Sequence, residues 1–441
     1  MNRIVILIVA AFGVIGSSWV SALEGSLPTE QDVVLVIGYN NTRVNDVRKI
    51  RGIAKERLNA ATVLCKKSPT QEDRLAADFV IDTDLFADEA LVDNVLRECG
   101  QLMVHPVAIL PFSDQGTQLG ACLANRLGLP GADPQRVRAG LDKSTFRRME
   151  REAESRPYGY RPLFSTVIHS KEELLDVITA RPNGVFMKPC QEGNNRGCTA
   201  VHSLEECDGA WAFVEAYKKG GILIEELVLG AQEYSCDCSG SSRWVTEKAT
   251  SCGVSGKYRG EIQAIIPAPL SPAETQARVA VGRFMADVSG YRVGAYHNEI
   301  FYKSEAEVMA VEPNLRPAGG RFWDIAQLAF DNFNPWAEWI ETMAGRRSPH
   351  DEGELVRNFY AGMRYVAASE DGQIAALPSI SLPEQVVELV WTKKVGDRVV
   401  ADQRDNSDFV GFIIVKDKDY ERVDAILKTW TQKLSENIIL K

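Results

Sequence analysis

Between Asp32 and Gly131, short continuous apolar runs alternate with segments of helical periodicity. Apolar runs of this length are typical of strands buried on both faces, and strands that alternate with helices form parallel sheets. The order therefore predicts a parallel α/β lobe ending near residue 131, although such lobes support many activities. The predicted strands cover residues 32–38, 61–65, 77–82 and 106–110, and the predicted helices cover 44–58 and 117–127.

Composition and charge exclude several classes of protein. The chain has 441 residues, of which 45% are hydrophobic and 25% are charged, values near the average for globular proteins. Disordered, collagen-like and polytopic membrane chains are thus excluded, and the length corresponds to about three domains. The net charge of −10 leaves no global basic field for a nucleic-acid backbone or an anionic membrane. We therefore expect neither nucleic acid nor membrane as a partner.

The N-terminal residues 1–30 allow two interpretations. Asn2-Arg3, the apolar run 4–16 and the small residues 20–22 match a secretory signal. Residues 4–11 and 17–23 also suit an extra buried strand and a short helix before the first domain. No other segment approaches the roughly 18 apolar residues of a membrane span.

The cysteines predict reduced thiols rather than a disulfide framework. There are nine, an odd number, in a chain too large to need covalent cross-links. Cys236 and Cys238 form a close pair, but no second pair and no His cluster accompanies them, so alternation along a strand is favoured over a metal site.

The pattern changes after Asp142, where antiparallel signals replace the strand–helix alternation. Short strands separated by Gly and Ser precede a helix, and a final α+β segment follows about residue 350. The predicted strands are 184–188, 221–227, 234–238, 243–248, 261–266, 386–392 and 410–415; the predicted helices are 142–154, 204–218, 272–289 and 420–435.

The strongest local signal is a hairpin within residues 298–312, where alternating residues flank a short polar stretch. If its centre falls between Glu305 and Ala306, Glu299 lies opposite Glu312. Two opposed carboxylates repel unless a cation separates them. Asn314 returns to the same face and adds an oxygen ligand suited to Mg²⁺. Arg316 then provides an anion clamp, although a solvated edge strand would explain the same pattern.

Two upstream segments suggest anion recognition. Lys188 ends an apolar strand, where its ammonium needs a partner, and a loop with Gly193 and Gly197 follows. Lys143 offers a second cation at a helix start. A plain surface turn is the alternative for the loop. The strand 221–227 has acids at its end and shortly after it. These acids could hold adenine and ribose, or they could simply be polar residues where the chain leaves the strand.

Taken in order, these motifs resemble the ATP-grasp superfamily, and within it the carboxylate–amine ligases of the L-amino-acid (dipeptide) ligase group. The resemblance covers roughly residues 32–350 and, more vaguely, the tail to 441. The motifs are Asp142-Lys143, Phe186-Met-Lys188-Pro with its glycine loop, Glu225-Glu226 followed by Gly230 and Glu233, Thr246-Glu-Lys248, Pro267-Ala-Pro-Leu270, His297-x-Glu299, and Glu312-Pro-Asn-x-Arg316.

The resemblance implies an ATP-grasp fold of mixed α/β and α+β class. It divides the chain into a leader or extra strand and helix at 1–30, an N-terminal α/β domain at 31–131, an ATP-grasp domain with a two-lobed ATP-binding centre at 132–350, and a small C-terminal α+β domain at 351–441. It implies an ATP-dependent ligase that forms an acyl phosphate and then an amide.

The resemblance also implies roles for individual residues. Lys143 and Lys188 hold the ATP phosphates under the loop from Gly193 to Gly197. For the nucleoside, it implies adenine contacts by Glu225, Glu226 and Leu227 and ribose contacts by Glu233. For the metal, it implies Mg²⁺ ligation, with Mn²⁺ as an alternative, by Glu299, Glu312 and Asn314. For the substrates, it implies acyl-phosphate stabilisation by Arg316, a phosphate or acid contact by Lys248 and amine binding by Glu261.

Two departures from the family pattern concern substrates. The loop 192–197 carries two Asn where relatives more often have Gly or Ser, and Ala264 replaces a His that many relatives have. The expected partners are a small carboxylate and an amine, and a homodimer is compatible with the sequence. ATP and free thiols favour a cytoplasmic protein, and therefore the strand–helix interpretation of the N-terminus. The alternatives are a carboxyphosphate-forming enzyme and an inactive ATP-binding module.

Overall fold

A computed structural model describes residues 30–39, 43–86, 89–181, 183–193, 196–251, 260–348, 350, 353–403 and 406–441. The predicted N-terminal leader and Cys252 lie outside these residues. Within them, no helix combines the length and apolar character needed to cross a bilayer. The eight cysteines in the described part of the chain are free thiols.

The N-terminal lobe is a parallel four-stranded sheet in the order β3-β2-β1-β4, with helices in the connections. Its strands are almost continuous runs of buried apolar residues, which suits a sheet covered on both faces. The predicted parallel lobe is confirmed. Its elements are β1 (Gln31–Ile37), α1 (Val44–Leu58), β2 (Ala61–Lys66), α2 (Gln71–Ala76), β3 (Phe79–Asp82), α3 (Glu89–Gln101), β4 (Val104–Pro111) and α4 (Gly116–Leu127).

A second, antiparallel four-stranded sheet in the order β5-β8-β6-β7 follows a charged helix. That helix begins at Lys143 because the Asp142 carboxylate accepts hydrogen bonds from the backbone amides of Ser144 and Thr145. The elements of this region are α5 (Lys143–Glu152), β5 (Ser165–Ile168), α6 (Lys171–Ala180), β6 (Val185–Pro189), β7 (Thr199–Val201), α7 (Cys207–Val214) and β8 (Ile222–Glu226).

The third sheet is antiparallel, has eight strands and supplies most of the residues discussed below. Its order is β13-β12-β9-β10-β11-β14-β18-β16. The strands and helices up to residue 343 are β9 (Gln232–Ser239), β10 (Ser242–Ser251), β11 (Gly260–Ile266), α8 (Pro272–Val288), β12 (Ala295–Ser304), β13 (Glu307–Glu312), α9 (Phe322–Ala329) and α10 (Pro335–Met343).

The C-terminal segment extends this same sheet, because β14 pairs with β11 and continues to β18 and β16. Hydrogen bonding is therefore continuous across the predicted boundary at residue 350. The elements are β14 (Tyr360–Val366), β15 (Gly372–Ala376), β16 (Val386–Trp391), β17 (Arg398–Val399), β18 (Gly411–Asp417), α11 (Tyr420–Glu436) and β19 (Ile439–Leu440), with β17, β15 and β19 in a small separate sheet.

Candidate functional site

A cavity of about 330 Å³ is lined by residues of both antiparallel sheets and the segments between them. Of the fourteen site residues predicted from sequence, Gly197 alone lies outside its lining; its positive φ of 71° and its packing against Tyr217 and Pro189 keep it in a tight turn. The predicted residues that line the cavity are Lys143, Lys188, Gly193, Glu225, Glu226, Leu227, Glu233, Lys248, Glu261, Glu299, Glu312, Asn314 and Arg316.

Lys143 lines the cavity as the first residue of α5. Its Nζ donates to the carbonyl oxygen of Glu192 at 2.7 Å and lies 3.1 Å from Glu312 Oε2. Burial opposes the charge of this ammonium, but the Glu312 carboxylate more than compensates and raises the pKa of Lys143 above its usual value. Lys143 is therefore a fixed cation beside the predicted metal ligands.

Lys188 is buried with Glu225 and with Arg147, a residue that the sequence reasoning missed. Glu225 Oε2 lies 2.7 Å from Lys188 Nζ, and Glu225 Oε1 accepts from Arg147 Nε at 2.5 Å. Burial alone would raise the pKa of Glu225, but the two cations lower it, so the carboxylate stays ionised. Arg147 follows Lys143 by one helical turn, so the two residues share a face of α5. This spacing could have identified Arg147 as a candidate site residue from the sequence.

The cavity lining also includes apolar residues and an unsatisfied carboxylate. Leu227 lies there, and the neighbouring Glu226 forms an ion pair with Arg161 at 2.6 Å. The Oε2 atom of Glu233 is buried and has no hydrogen-bond partner among the described residues. Burial raises the pKa of Glu233 to about 7. This oxygen is an acceptor that a ligand hydroxyl would satisfy.

Lys248 links two acids in the middle of the cavity. Its buried ammonium contacts Glu299 and lies 3.1 Å from Glu261 Oε2. Burial opposes the charged ammonium, but the two carboxylates hold the pKa of Lys248 well above its usual value. Burial raises the pKa of Glu261, whereas Lys248 and His297 keep the pKa of Glu299 low despite burial.

The predicted opposition of Glu299 and Glu312 is confirmed, although the pairs from Ile300–Ala310 to Tyr302–Val308 are offset by one residue from a hairpin centred between Glu305 and Ala306. Glu299 of β12 lies directly opposite Glu312 of β13, with bulges on either side of the central pairs. Asn314 follows β13; its backbone amide donates to Asn298 Oδ1 at 3.1 Å. Among the described residues, no group of three or more His, Cys, Asp or Glu side chains forms a metal-binding cluster. A cation here would use two carboxylates, the Asn314 amide oxygen and ligand oxygens, a hard donor set.

Arg316 is held by Asp114, which the sequence reasoning also missed. Its Nε donates to Asp114 Oδ1 at 2.7 Å and its Nη2 donates to Oδ2 at 3.3 Å. Asp114 follows the carboxyl end of β4, and ligands of parallel α/β lobes bind beyond the carboxyl ends of the strands. This position in the sequence could have identified Asp114 as a candidate site residue. A Cβ atom placed on Gly193 would lie 4.0 Å from Asp114 Oδ2, so the glycine loop approaches this ion pair closely.

His297 lines the cavity two residues before Glu299, and sequence reasoning gave it no role. Its Nδ1 lies 2.7 Å from Asp237 Oδ1, and its Nε2 lies 3.5 Å from Glu299 Oε1. Burial disfavours the imidazolium, but these two carboxylates raise the pKa of His297 to about 9.

The C-terminal segment also reaches the cavity, through Tyr365 of β14 and through Asn406. Ala264, at the position where the resemblance predicts a His, is fully buried and belongs to the same apolar core as Phe322 and Met363.

Three solved structures illustrate how this architecture compares with known proteins. The L-amino acid ligase from Bacillus licheniformis has a TM-score of 0.71 at 18% identity, over 93% of this chain and 99% of that one. Phosphoribosylglycinamide synthetase from Anaerococcus prevotii gives 0.62 at 16% identity, over 93% and 100%. The biotin carboxylase domain of the Hydrogenobacter thermophilus 2-oxoglutarate carboxylase, solved with magnesium ADP and bicarbonate, gives 0.62 at 14%, over 92% and 90%.

These similarities concern the fold. No protein-family model matches the chain, and no curated protein matches it in sequence. Identities of 18% or less, over almost the full length of both chains, show a shared architecture whose side chains have diverged widely.

Proposed function

From the premise that this chain has the ATP-grasp fold, we propose that it is an ATP-dependent ligase that couples a small carboxylate, such as an amino acid, to an amine. One observation supports the proposal above all. A single cavity combines buried cations, two opposed carboxylates and an unsatisfied acid. These groups suit a phosphate chain, its counter-ion and a hydroxylated sugar.

The nucleotide is held by residues of the cavity lining. Lys143 and Lys188 neutralise phosphate oxygens, and the loop at Gly193 covers them. Glu233 accepts from the ribose hydroxyls through its free oxygen. The Glu225 side chain is already engaged by Arg147 and Lys188, so its contact with adenine is through the backbone, as are those of Glu226 and Leu227.

Mg²⁺ fits the donors at the hairpin, namely Glu299, Glu312 and Asn314. Bound there, the ion would neutralise phosphate charge that builds up during transfer. In its absence, Lys143 and Lys248 contact the same carboxylates, so the protein already balances their charge with cations. This balance explains how two acids can lie opposite each other on adjacent strands.

The chemistry proceeds in two steps. A carboxylate oxygen attacks the γ-phosphorus, the bond to the bridging oxygen of ADP breaks, and an acyl phosphate forms. The amine nitrogen then attacks the acyl carbon, inorganic phosphate leaves with the bonding electrons, and the nitrogen loses a proton. Arg316 stabilises the negative charge of both transition states, because Asp114 holds its guanidinium at the cavity.

Glu261 and Lys248 lie where the substrates are handled. Glu261 offers a carboxylate to a substrate ammonium, and Lys248 contacts the acid or a phosphate. The proposed partners are therefore small molecules, and the use of ATP favours a cytoplasmic enzyme. The core around Ala264 leaves the acceptor site without the imidazole found in many relatives.

The test is ADP release from the purified full-length protein with ATP, Mg²⁺ and a panel of amino acids, followed by mass spectrometry of the products. We expect ADP only when an acid and an amine are both present, together with an amide product. Glu299→Gln serves as the inactive control. ADP release that depends on bicarbonate instead would favour carboxyphosphate chemistry, and nucleotide binding without any ADP would favour an inactive module.

A further inference from the structure

Asp237 and His297 form a buried pair on adjacent strands behind the predicted metal ligand. The register places Asp237 of β9 directly beside His297 of β12, and Glu299 follows His297 by two residues on the same face. The Asp237 carboxylate is completely buried, whereas the far side of the imidazole lines the cavity.

Every oxygen of the Asp237 side chain is engaged. Oδ2 accepts from Ser235 Oγ at 2.7 Å and from Thr246 Oγ1 at 2.8 Å, and Oδ1 lies 2.7 Å from His297 Nδ1. Three hydrogen bonds from three strands fix the position of this carboxylate. A buried carboxylate is costly unless its oxygens are hydrogen-bonded, and His297 provides one of these three contacts.

The orientation of the imidazole ring follows from these contacts. Nδ1 is held by Asp237, and the ring packs edge-on against Phe322 at a centroid distance of 5.2 Å. Nε2 is therefore directed towards the cavity, where it lies 3.5 Å from Glu299 Oε1. The backbone amide of His297 donates to the carbonyl oxygen of Asn314 at 2.8 Å, which ties the same residue to a second predicted ligand.

We propose that Asp237 and His297 are positioning residues that fix the orientation of Glu299, and through the backbone that of Asn314, for divalent-cation binding. The proposal rests on the proposed function, in which Glu299 is a metal ligand. Residues that orient metal ligands typically change metal affinity by about 10- to 100-fold when they are replaced. A purely structural pair would stabilise the sheet and leave metal affinity unchanged.

The experiment measures Mn²⁺ binding to the full-length protein in the presence of ADP, from the electron paramagnetic resonance signal of free Mn²⁺. For Asp237→Asn and His297→Gln we expect the Kd for Mn²⁺ to rise about 10- to 100-fold. The affinity for ADP without metal should not change. The Mg²⁺ concentration that gives half-maximal activity should rise in parallel, and saturating Mg²⁺ should restore most of kcat.

Glu338→Gln is the matched control. Glu338 is also a buried carboxylate, and it accepts from Ser241 and Ser242 at 2.8–2.9 Å, but it does not line the cavity. This variant should lose stability and keep wild-type Mn²⁺ affinity. If Asp237→Asn fails to fold, His297→Gln gives the same readout, because it leaves Asp237 with both hydroxyl donors.

The outcomes separate this inference from the proposed function. If Glu299→Gln weakens Mn²⁺ binding and both positioning variants bind Mn²⁺ as the wild type does, the inference is wrong and the metal site survives. If the wild type binds no Mn²⁺, or Glu299→Gln binds it normally, the metal assignment itself fails.

Discussion

The carboxylate of Asp114 and the guanidinium of Arg316 form a two-point ion pair, with N–O distances of 2.7 and 3.3 Å, that joins the N-terminal lobe to the end of the β12–β13 hairpin. The two residues are 202 positions apart in the chain. Arg316, which lines the cavity, therefore gains this carboxylate partner only when the parallel lobe packs against the large antiparallel sheet.

The first prediction concerns this ion pair. Asp114→Asn should reduce kcat by about 100-fold, because Arg316 loses the partner that orients it and small displacements of a charge-stabilising group are costly. Steady-state kinetics on the amino-acid substrates checks this. Asp133→Asn, which removes a surface ion pair with Arg292 at 2.8 Å, should leave kcat unchanged. Equal effects of the two substitutions would contradict the role given to Asp114.

The second prediction concerns the opposed acids. Glu312→Gln should lower turnover by at least about 100-fold, because the phosphate charge would lose part of its metal site. The fold should persist, since the Glu312 side chain is 25% exposed. Circular dichroism and ADP release measure the two effects. Glu305→Gln, at the exposed turn of the same hairpin, is the control and should remain active. Retained turnover in Glu312→Gln would refute the magnesium assignment.

The third prediction concerns Glu233 and pH. Burial raises the pKa of this acid to about 7, whereas it is about 4.3 in an unfolded chain. Between these values the folded state binds more protons, so this group lowers stability as pH rises from about 4.3 to about 7. Glu233→Gln should therefore increase the free energy of unfolding by up to about 3–4 kcal/mol at pH 8 and change it little at pH 4.

Thermal melts of this variant and the wild type at the two pH values provide the measurement. The same variant should bind ATP more weakly, because a carboxamide oxygen is a poorer acceptor for ribose hydroxyls than a carboxylate. A stability difference that does not depend on pH would show that the Glu233 carboxyl does not titrate in this range.

The fourth prediction concerns the buried charges behind Lys188. Arg147→Met should reduce the free energy of unfolding by about 3–5 kcal/mol, because it leaves the buried carboxylates of Glu225 and Glu150 short of a cation. Arg148→Met is the matched control, since Arg148 is 57% exposed and pairs with Glu152 on the helix surface. It should change stability by less than about 1 kcal/mol. Denaturant midpoints of both variants measure these changes. Equal changes in the free energy of unfolding would contradict the role given to Arg147.

Several features could be predicted because the information is local. A period of two on both sides of a short turn limits which residues of a hairpin oppose each other. Glu299 and Glu312 were paired correctly because the two register shifts between them and the turn cancel. Uninterrupted apolar runs separated by helices specify a parallel lobe in the same way. Of the site residues predicted from the order of the motifs, thirteen line one cavity.

Other features depend on which strands become neighbours, and periodicity carries no information about that. Asp237 meets His297, and β14 meets β11, because of the strand order in the eight-stranded sheet. Asp114 and Arg147 reach Arg316 and Glu225 only through the packing of separate elements. By itself, the sequence determined the elements and the acids and bases along them. The tertiary structure alone decided which of those charges neutralise each other, because burial makes an ion pair necessary and long-range packing selects the partner.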